Sequence, residues 1–129
     1  MYRSPSRNPE NFNILFEKVL QKIHRHTKNK MAYIVGDFNQ DLIKFDTDAH
    51  SQKLIDLTSS HGFVQLVSKP TRITDSSGTL IDHVYSNNID NTLSCNILTL
   101  DLSDHLAIHT KTSLKTEGSS INIIKCKEN

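Results

Sequence analysis

The chain has 129 residues, enough to bury the core of one domain and too few for two ordinary ones. With 36% hydrophobic and 22% charged residues and few glycines or prolines, its composition excludes a fibrous or largely disordered chain. Its 15 Lys and Arg residues nearly balance 14 Asp and Glu, so the formal net charge of +1 provides no global attraction to nucleic acid or anionic membranes, and any phosphate recognition must be local.

The two cysteines, Cys95 and Cys126, match neither a CxxC motif nor a Cys/His zinc pattern, which argues against a disulfide scaffold or a structural zinc site. No apolar run approaches the length of a membrane span, and residues 1–5 lack the apolar core of a signal peptide. We therefore expect a soluble, intracellular protein.

The first predicted helix begins at Asn8, Pro9 and Glu10. Asn can cap a helix, Pro suits the first helical position, and an acid favours the positive end of the helix dipole. Apolar residues then recur at the spacing of an amphipathic helix, and they are Phe12, Leu15, Phe16, Val19, Leu20 and Ile23. We expect this face to pack on a sheet.

An apolar run at residues 31–35, ended by Gly36, is typical of a strand buried on both faces. Residues 46–48 offer caps for a second helix, which ends at Gly62 and has apolar residues Leu54, Ile55 and Leu57. Further strands are predicted at residues 63–67, 79–86, 93–100 and 106–114. Residues 115–129 form a polar tail, in which 121–124 could add a short edge strand.

Asp37 and Asn39 lie two residues apart just past the first predicted strand, so in extended backbone their side chains emerge on the same side. Asp37 could take a proton from water as general base, while Asn39 hydrogen-bonds the nucleophile or a phosphate oxygen. Gly, Asp and Asn are also common turn formers, and on spacing alone an ordinary turn is the better-supported interpretation.

Asp82 lies inside a strand-like run, where burial of an unpaired carboxylate is costly. A histidine is the natural partner, because a carboxylate fixes the tautomer of the imidazole and favours the protonated form that can donate to a phosphate. The alternative is a solvated sheet edge, although Asp is depleted in strands. His83 should point away from Asp82, and we assign it no role.

Asp104 and His105 are neighbours in a turn before the last predicted strand, so both side chains could face one pocket. Asp104 suits a hard cation such as magnesium, and His105 suits a phosphate oxygen. Alternatively, Asp104 only caps the turn and His105 is a surface histidine, which is the better-supported interpretation of this turn alone.

Three segments together resemble, in order and setting, the last three motifs of the endonuclease/exonuclease/phosphatase superfamily. They are Gly36-Asp37-Phe38-Asn39, Leu80-Ile81-Asp82-His83 and Leu102-Ser103-Asp104-His105. Two more are similar to segments in the endonuclease domains of non-LTR retrotransposons, namely Tyr2-Arg3-Ser4-Pro5-Ser6 and Lys69-Pro70-Thr71-Arg72. The resemblance implies an α+β domain over residues 1–114 that is half of a four-layer α/β/β/α sandwich, with one mostly antiparallel sheet and two helices packed on one face.

Carried over residue by residue, the resemblance implies that Asp37 activates or orients the attacking water. Asn39 would be its partner at the transition state and the phosphate. His105 would contact the scissile phosphate and be held in place by Asp82, and Tyr2 matches a tyrosine that contacts phosphate. These five residues are the expected catalytic group.

The resemblance further implies that Asp104 assists in binding Mg²⁺ or Mn²⁺ and that the reaction is hydrolysis of a DNA phosphodiester. A protein acting on genomic DNA would be nuclear. Family domains open with strands that carry an Asn and the principal metal ligand, a Glu, and the present sequence begins after both. We therefore expect weak metal binding and a bare apolar sheet face that self-associates or receives a missing N-terminal half.

Three functions follow from these expectations. The first is a nuclease of retrotransposon type, with activity that is weak or absent unless the missing half is supplied. The second is a catalytically inactive remnant that at most binds phosphate groups or another protein. A phosphatase acting on small phosphoesters is a third, which the retrotransposon-like segments disfavour.

Overall fold

A computed structural model of the chain describes residues 1–27, 30–100 and 102–113. In chain order the elements are α1 (Pro9–His26), β1 (Tyr33–Asp37), a 3-10 turn (Leu42–Lys44), α2 (Ala49–Ser60), β2 (Val64–Gln65), β3 (Arg72–Thr74), β4 (Ser77–Thr79), β5 (Asp82–Ser86), β6 (Thr92–Leu98) and β7 (Ala107–Thr112). Two helices combined with antiparallel strands confirm the α+β class. The predicted tail at 115–129, its edge strand at 121–124 and the domain end at 114 lie outside the described residues.

The described strands form three hydrogen-bonded groups rather than one continuous sheet. β5 is the centre of a three-stranded sheet in the order β1-β5-β2, and both neighbours run antiparallel to it. β3 and β4 form one hairpin, and β6 and β7 form another. An isolated antiparallel bridge between Arg72 and His105 connects the base of the first hairpin to the segment that leads into β7.

The strand predicted at residues 79–86 is divided into β4 and β5. Between them, the backbone N–H of Leu80 donates to the Asp41 carboxylate at 2.9 Å, and that of Ile81 donates to the Thr71 hydroxyl at 3.2 Å. Because side chains satisfy these donors, the two residues can leave the β ladder without a loss of hydrogen bonds. Their side chains are buried in the core. The sequence pattern does not predict β3.

Helix α1 begins as predicted, because the Asn8 side chain accepts a hydrogen bond from the backbone N–H of Glu10 at 2.8 Å. Its buried face is rotated from the predicted one. Leu15 is 53% exposed, so its assignment to the core is wrong, whereas Asn13 is buried and donates to the His50 carbonyl oxygen at the start of α2. The face that packs inward is therefore centred on Phe12, Phe16 and Leu20.

Strand β1 is buried on one face only, which corrects the predicted burial on both. Ile34 points into the core, whereas Val35 is 54% exposed. Helix α2 follows its prediction: Asp48 caps it, and Gly62, with a φ of +77°, follows its C-terminal end. Across the described residues, no helix is long and apolar enough to cross a membrane.

The first three residues run parallel to β1 along its outer edge. The backbone N–H of Asp37 donates to the Met1 carbonyl oxygen at 3.0 Å, and the N–H of Arg3 donates to the Asp37 carbonyl oxygen at 2.8 Å. A β-carbon on Gly36 would lie 1.9 Å from that Met1 oxygen. Gly36 is therefore needed for the close approach of the two backbones.

Candidate functional site

The register of β1 and β5 brings two carboxylates to one end of the central sheet. Asp37, the last residue of β1, lies directly opposite Asp82, the first residue of β5. Residues opposite each other in an antiparallel pair point to the same face of a sheet. Strand pairing thus joins two sequence motifs that are 45 residues apart in the chain.

His105 joins this pair from the segment before β7. Its Nδ1 lies 2.9 Å from Oδ2 of Asp82, with 36% of the His105 side chain and 18% of the Asp82 side chain exposed. With a carboxylate oxygen as the acceptor, Nδ1 is assigned as the donor, and Nε2 is the ring nitrogen that can meet a ligand. The carboxylate–imidazole pair that the sequence suggested for Asp82 is present.

Asp37, Asp82 and His105 form a half-buried cluster in which one ligand atom from each lies within 4.8 Å of the others. The pKa of Asp37 is raised, chiefly because burial disfavours the charged carboxylate. A hydrogen bond from the backbone N–H of Asn39, at 3.0 Å, works against this increase, while the negative charge of Asp82 adds to it. A carboxylate with a raised pKa is a better proton acceptor than an exposed one.

Asn39 has a different conformation from the one expected. Its φ is +48°, in the left-handed region, so the prediction that extended backbone carries its side chain beside that of Asp37 is wrong. The side-chain amide nitrogen of Asn39, Nδ2, instead donates to the Arg3 carbonyl oxygen at 2.6 Å. The turn that the sequence predicts is present, and the backbone N–H of Asn39 within it donates to the Asp37 carboxylate.

Arg3 fixes this turn, and sequence reasoning gave it no role. The side chain is buried, its Nε donates to the Phe38 carbonyl oxygen at 2.5 Å, and its guanidinium also donates to the carbonyl oxygens of Asn39 and Arg7. A buried cation that binds several carbonyl oxygens holds the backbone of that turn firmly. The resemblance of the Tyr2-Arg3 segment to family sequences was the available signal.

His83 supports the same turn from the core. The ring is fully buried, stacks on Phe38 with centroids 4.7 Å apart, and lies on the opposite face of β5 from Asp82, as strand alternation predicts. Its Nε2 donates to the Gln40 carbonyl oxygen at 2.9 Å, and its Nδ1 accepts from the Tyr85 hydroxyl at 3.0 Å. Burial lowers the pKa of His83 to about 4, so the ring is neutral.

Asp104 and Tyr2 lie outside the three-residue cluster. Oδ2 of Asp104 is 2.6 Å from Nε of Arg72, and this hydrogen bond is the main reason that the pKa of Asp104 is lowered. Although Asp104 adjoins His105 in the chain, the structure does not direct both side chains to one group. Tyr2 forms an isolated bridge with Asp37 through its backbone, and its side chain is 53% exposed.

Comparison with known families shows which family the chain belongs to. A family model described as endonuclease-reverse transcriptase matches residues 1–109. The chain belongs to this family. It is thereby a member of the endonuclease/exonuclease/phosphatase superfamily that the three motifs resemble. No curated protein sequence matches the chain.

A solved structure supports the same fold for this family member. The endonuclease domain of TRAS1, a telomere-specific non-LTR retrotransposon, matches with a TM-score of 0.68 and 19% sequence identity. The match covers 88% of this chain and 56% of that domain. The chain therefore spans little more than half the length of the solved domain.

Nucleases of this family depend on metal ions, and the site has a donor set that fits one. Asp37 and Asp82 supply carboxylate oxygens, which are the ligands that hard divalent cations prefer, and their mutual repulsion would be relieved by a positive ion. The Nδ1 atom of His105 is already bonded to Asp82. The two carboxylates are therefore the residues that would hold a cation in this cluster.

Proposed function

We propose that this chain contributes the hydrolytic centre of a DNA endonuclease of the non-LTR retrotransposon type. The observation that carries the proposal is the hydrogen bond between Asp82 and His105 with Asp37 beside them. This grouping combines a proton acceptor, an imidazole that can meet a phosphate oxygen, and a carboxylate that orients the imidazole. Phosphodiester hydrolysis requires these roles within a few ångströms of the reacting phosphorus.

Asp37 accepts the proton of the attacking water in this proposal. The water oxygen forms a bond to phosphorus, and the water proton moves to the Asp37 carboxylate. The bond from phosphorus to the leaving oxygen breaks, and that oxygen keeps the electron pair and takes a proton from solvent. The position of Asp37 supports this role, because one of its carboxylate oxygens lies within 4.8 Å of both Asp82 and His105. The hydrogen bond from Asn39 keeps one carboxylate oxygen fixed.

His105 meets a non-bridging phosphate oxygen through Nε2, because Asp82 occupies Nδ1. Asp82 acts as a positioning residue that fixes the tautomer and the direction of the ring. Tyr2, exposed next to Asp37 along the sheet edge, contacts a phosphate from the other side. We propose that the side-chain oxygen of Asn39 orients the water. The side-chain nitrogen of Asn39 already donates to the Arg3 carbonyl oxygen, so the oxygen is the atom that can meet the water.

A Mg²⁺ or Mn²⁺ ion held by Asp37 and Asp82 would supply electrostatic stabilisation of the charge that builds on the phosphate. The resemblance assigns metal binding to Asp104 instead, and an ion at Asp104 would share the carboxylate with Arg72, whose Nε lies 2.6 Å from Oδ2. The ion pair between Arg72 and Asp104 favours an alternative function, because it occupies the carboxylate that the resemblance assigns to the metal. In this alternative the chain binds phosphate groups without cleaving them.

The experiment that separates these functions is nicking of supercoiled plasmid DNA by the purified chain in the presence of Mg²⁺. We expect Asp37→Ala and His105→Ala each to lower the nicking rate by about 10²- to 10⁴-fold, the usual contribution of proton transfer. Asp56→Ala, which removes an exposed carboxylate from α2, is the matched control and should retain the wild-type rate.

Nicking by the wild-type chain that is no faster than nicking by Asp37→Ala would rule out hydrolysis by this site. Binding of the same DNA without nicking would then favour the alternative. Repeating the assay with Ca²⁺ or with a chelator tests the dependence on Mg²⁺, because a site that only binds phosphate needs no catalytic ion.

A further inference from the structure

The segment that contains Thr71 and Arg72 lies between the two halves of the proposed hydrolytic site. Thr71 is fully buried, and its hydroxyl oxygen accepts the backbone N–H of Asp82 at 2.9 Å. Its carbonyl oxygen accepts the backbone N–H of Leu106 at 2.6 Å. One residue therefore fastens the strand that carries Asp82 to the segment that carries His105, and its neighbour Arg72 is fixed beside the site.

Arg72 lies next to His105 and is oriented by Asp104. The isolated bridge pairs the backbones of Arg72 and His105, and paired residues present their side chains to the same face. Asp104 engages the Nε edge of the guanidinium at 2.6 Å, and the Asp104 carbonyl oxygen accepts the N–H of Ile73 at 2.9 Å. Both the side chain and the backbone of Asp104 therefore hold the position of Arg72.

The outer edge of the Arg72 guanidinium is available to a ligand. The Arg72 side chain is 42% exposed, and Nη1 and Nη2 have no hydrogen-bond partner within residues 1–27, 30–100 and 102–113. A planar guanidinium has donors on more than one edge, so it can bind a carboxylate through Nε and a phosphate through Nη1 and Nη2. With a net charge of only +1, the chain depends on such local donors to recognise phosphate.

We propose that Arg72 binds a phosphate of the DNA backbone next to the phosphate that meets His105. This inference rests on the proposed function, because it takes DNA as the ligand. Asp104 holds the guanidinium in advance, so little side-chain freedom is lost on binding. The contact is to the backbone, so it contributes affinity and position along the duplex without selecting a base sequence.

The test is fluorescence anisotropy of labelled duplex DNA with the full chain in EDTA, where metal-dependent cleavage cannot occur. We expect Arg72→Ala to weaken binding roughly ten-fold, as for the loss of a hydrogen bond to a charged group. The slope of log affinity against log salt concentration should fall by about one. Arg25→Ala, which removes an exposed cation from the end of α1, should keep the wild-type affinity and slope.

Arg72→Lys distinguishes the guanidinium from its charge and covers the case in which Arg72→Ala fails to fold. Lysine keeps one positive charge, so the slope of log affinity against log salt concentration should stay at the wild-type value. The affinity should fall, because an ammonium group cannot bind Asp104 and a phosphate through two edges of one planar group. Circular dichroism of each variant establishes that it is folded. The loss of affinity should be equal for duplexes of unrelated sequence.

The proposal is overturned if Arg72→Ala and Arg72→Lys bind DNA with wild-type affinity and slope, or if the wild-type chain does not bind DNA in EDTA. A loss confined to one DNA sequence would also overturn it, since that outcome indicates contact with a base. If binding depends on Arg72 but plasmid nicking fails, the hydrolytic function is rejected and the Arg72 contact stands.

Discussion

Acidification is expected to destabilise the chain through His83, the buried ring behind the turn that presents Asp37. In the folded chain Nε2 of His83 donates to the Gln40 carbonyl oxygen and Nδ1 accepts from the Tyr85 hydroxyl, so a second proton would break the latter bond and leave a buried charge. The pKa of His83 is therefore lowered to about 4, against 6.5 for an unperturbed histidine.

The sign and the size of the effect follow from these two values. Between pH 6.5 and about 4 the unfolded chain binds a proton at His83 and the folded chain does not, so the free energy of unfolding falls as the pH falls. The lowering of the pKa corresponds to roughly 3 kcal/mol, all of which is present above pH 6.5 and lost by about pH 4. A loss of this size is a large fraction of the stability of a small domain.

Urea unfolding followed by circular dichroism at several pH values between 4 and 7 measures this loss. Carboxylates also titrate near the acid end of the range, and the raised pKa of Asp37 acts in the opposite direction to His83. The decisive quantity is therefore the difference between wild type and His83→Gln, which cannot titrate at this position. His24→Gln, at an exposed position in α1, is the matched control and should keep the wild-type pH dependence.

We expect His83→Gln to be less stable than wild type at pH 7 but to lose about 3 kcal/mol less on acidification. If the two chains lose the same free energy between pH 7 and pH 4, His83 is not a neutral, buried ring and the reasoning is wrong. A loss of pH dependence in His24→Gln would likewise assign the effect to an exposed histidine.

Two further predictions concern the backbone around the site. Gly36→Ala should lower the free energy of unfolding by about 1–3 kcal/mol, because the new β-carbon overlaps the Met1 backbone. Gly78→Ala is the control and should cost less, because its β-carbon would meet only a proline ring at 3.3 Å. Urea unfolding measures both, and a larger loss for Gly78→Ala would refute the prediction. Thr71→Val should cost about 1–3 kcal/mol, because the backbone N–H groups of Ile81 and Asp82 lose their common acceptor. Thr71→Ser should restore most of this stability, and equal stability of the two variants would show that the hydroxyl has no such role.

The features that sequence predicted best are those set by neighbouring residues. Asn8 caps α1 through a hydrogen bond to the backbone two residues away, and Gly62 follows the end of α2 with a positive φ. Both depend on local chemistry that the sequence displays directly. The face of α1 depends instead on where α2 lies, which is why Asn13 is buried and Leu15 is exposed, although an apolar pattern favours the opposite.

The supporting residues of the site could not be identified from spacing. Arg3 binds carbonyl oxygens 35 and 36 residues away, and the Thr71 hydroxyl accepts an N–H that is 11 residues away. Such contacts arise only after the strands have paired, and the polar residues that make them look in sequence like ordinary surface residues. The pairing of Asp82 with His105 was predictable because a carboxylate within a strand requires a partner.

Asp104 shows how neighbours in sequence can have different environments. The Ser103 hydroxyl accepts the backbone N–H of His105 at 3.1 Å and so shapes the turn, from which His105 reaches Asp82 while Asp104 reaches Arg72. A divalent cation at Asp104 must compete with an ion pair that already neutralises the carboxylate. Asp37 and Asp82 face each other, and burial together with their repulsion raises the pKa of Asp37 despite the nearby positive groups.

We therefore propose the Asp37–Asp82 pair as the position of a cation, if one binds this cluster. At Asp104, an ion would share the carboxylate with the Arg72 guanidinium, whose positive charge opposes the approach of a second cation. At Asp37 and Asp82, an ion relieves an existing repulsion and breaks no ion pair with Arg or Lys within the described parts of the chain. In the function proposed above, the Asp104 carboxylate then orients Arg72, and one turn carries the residues for both the reacting phosphate and its neighbour.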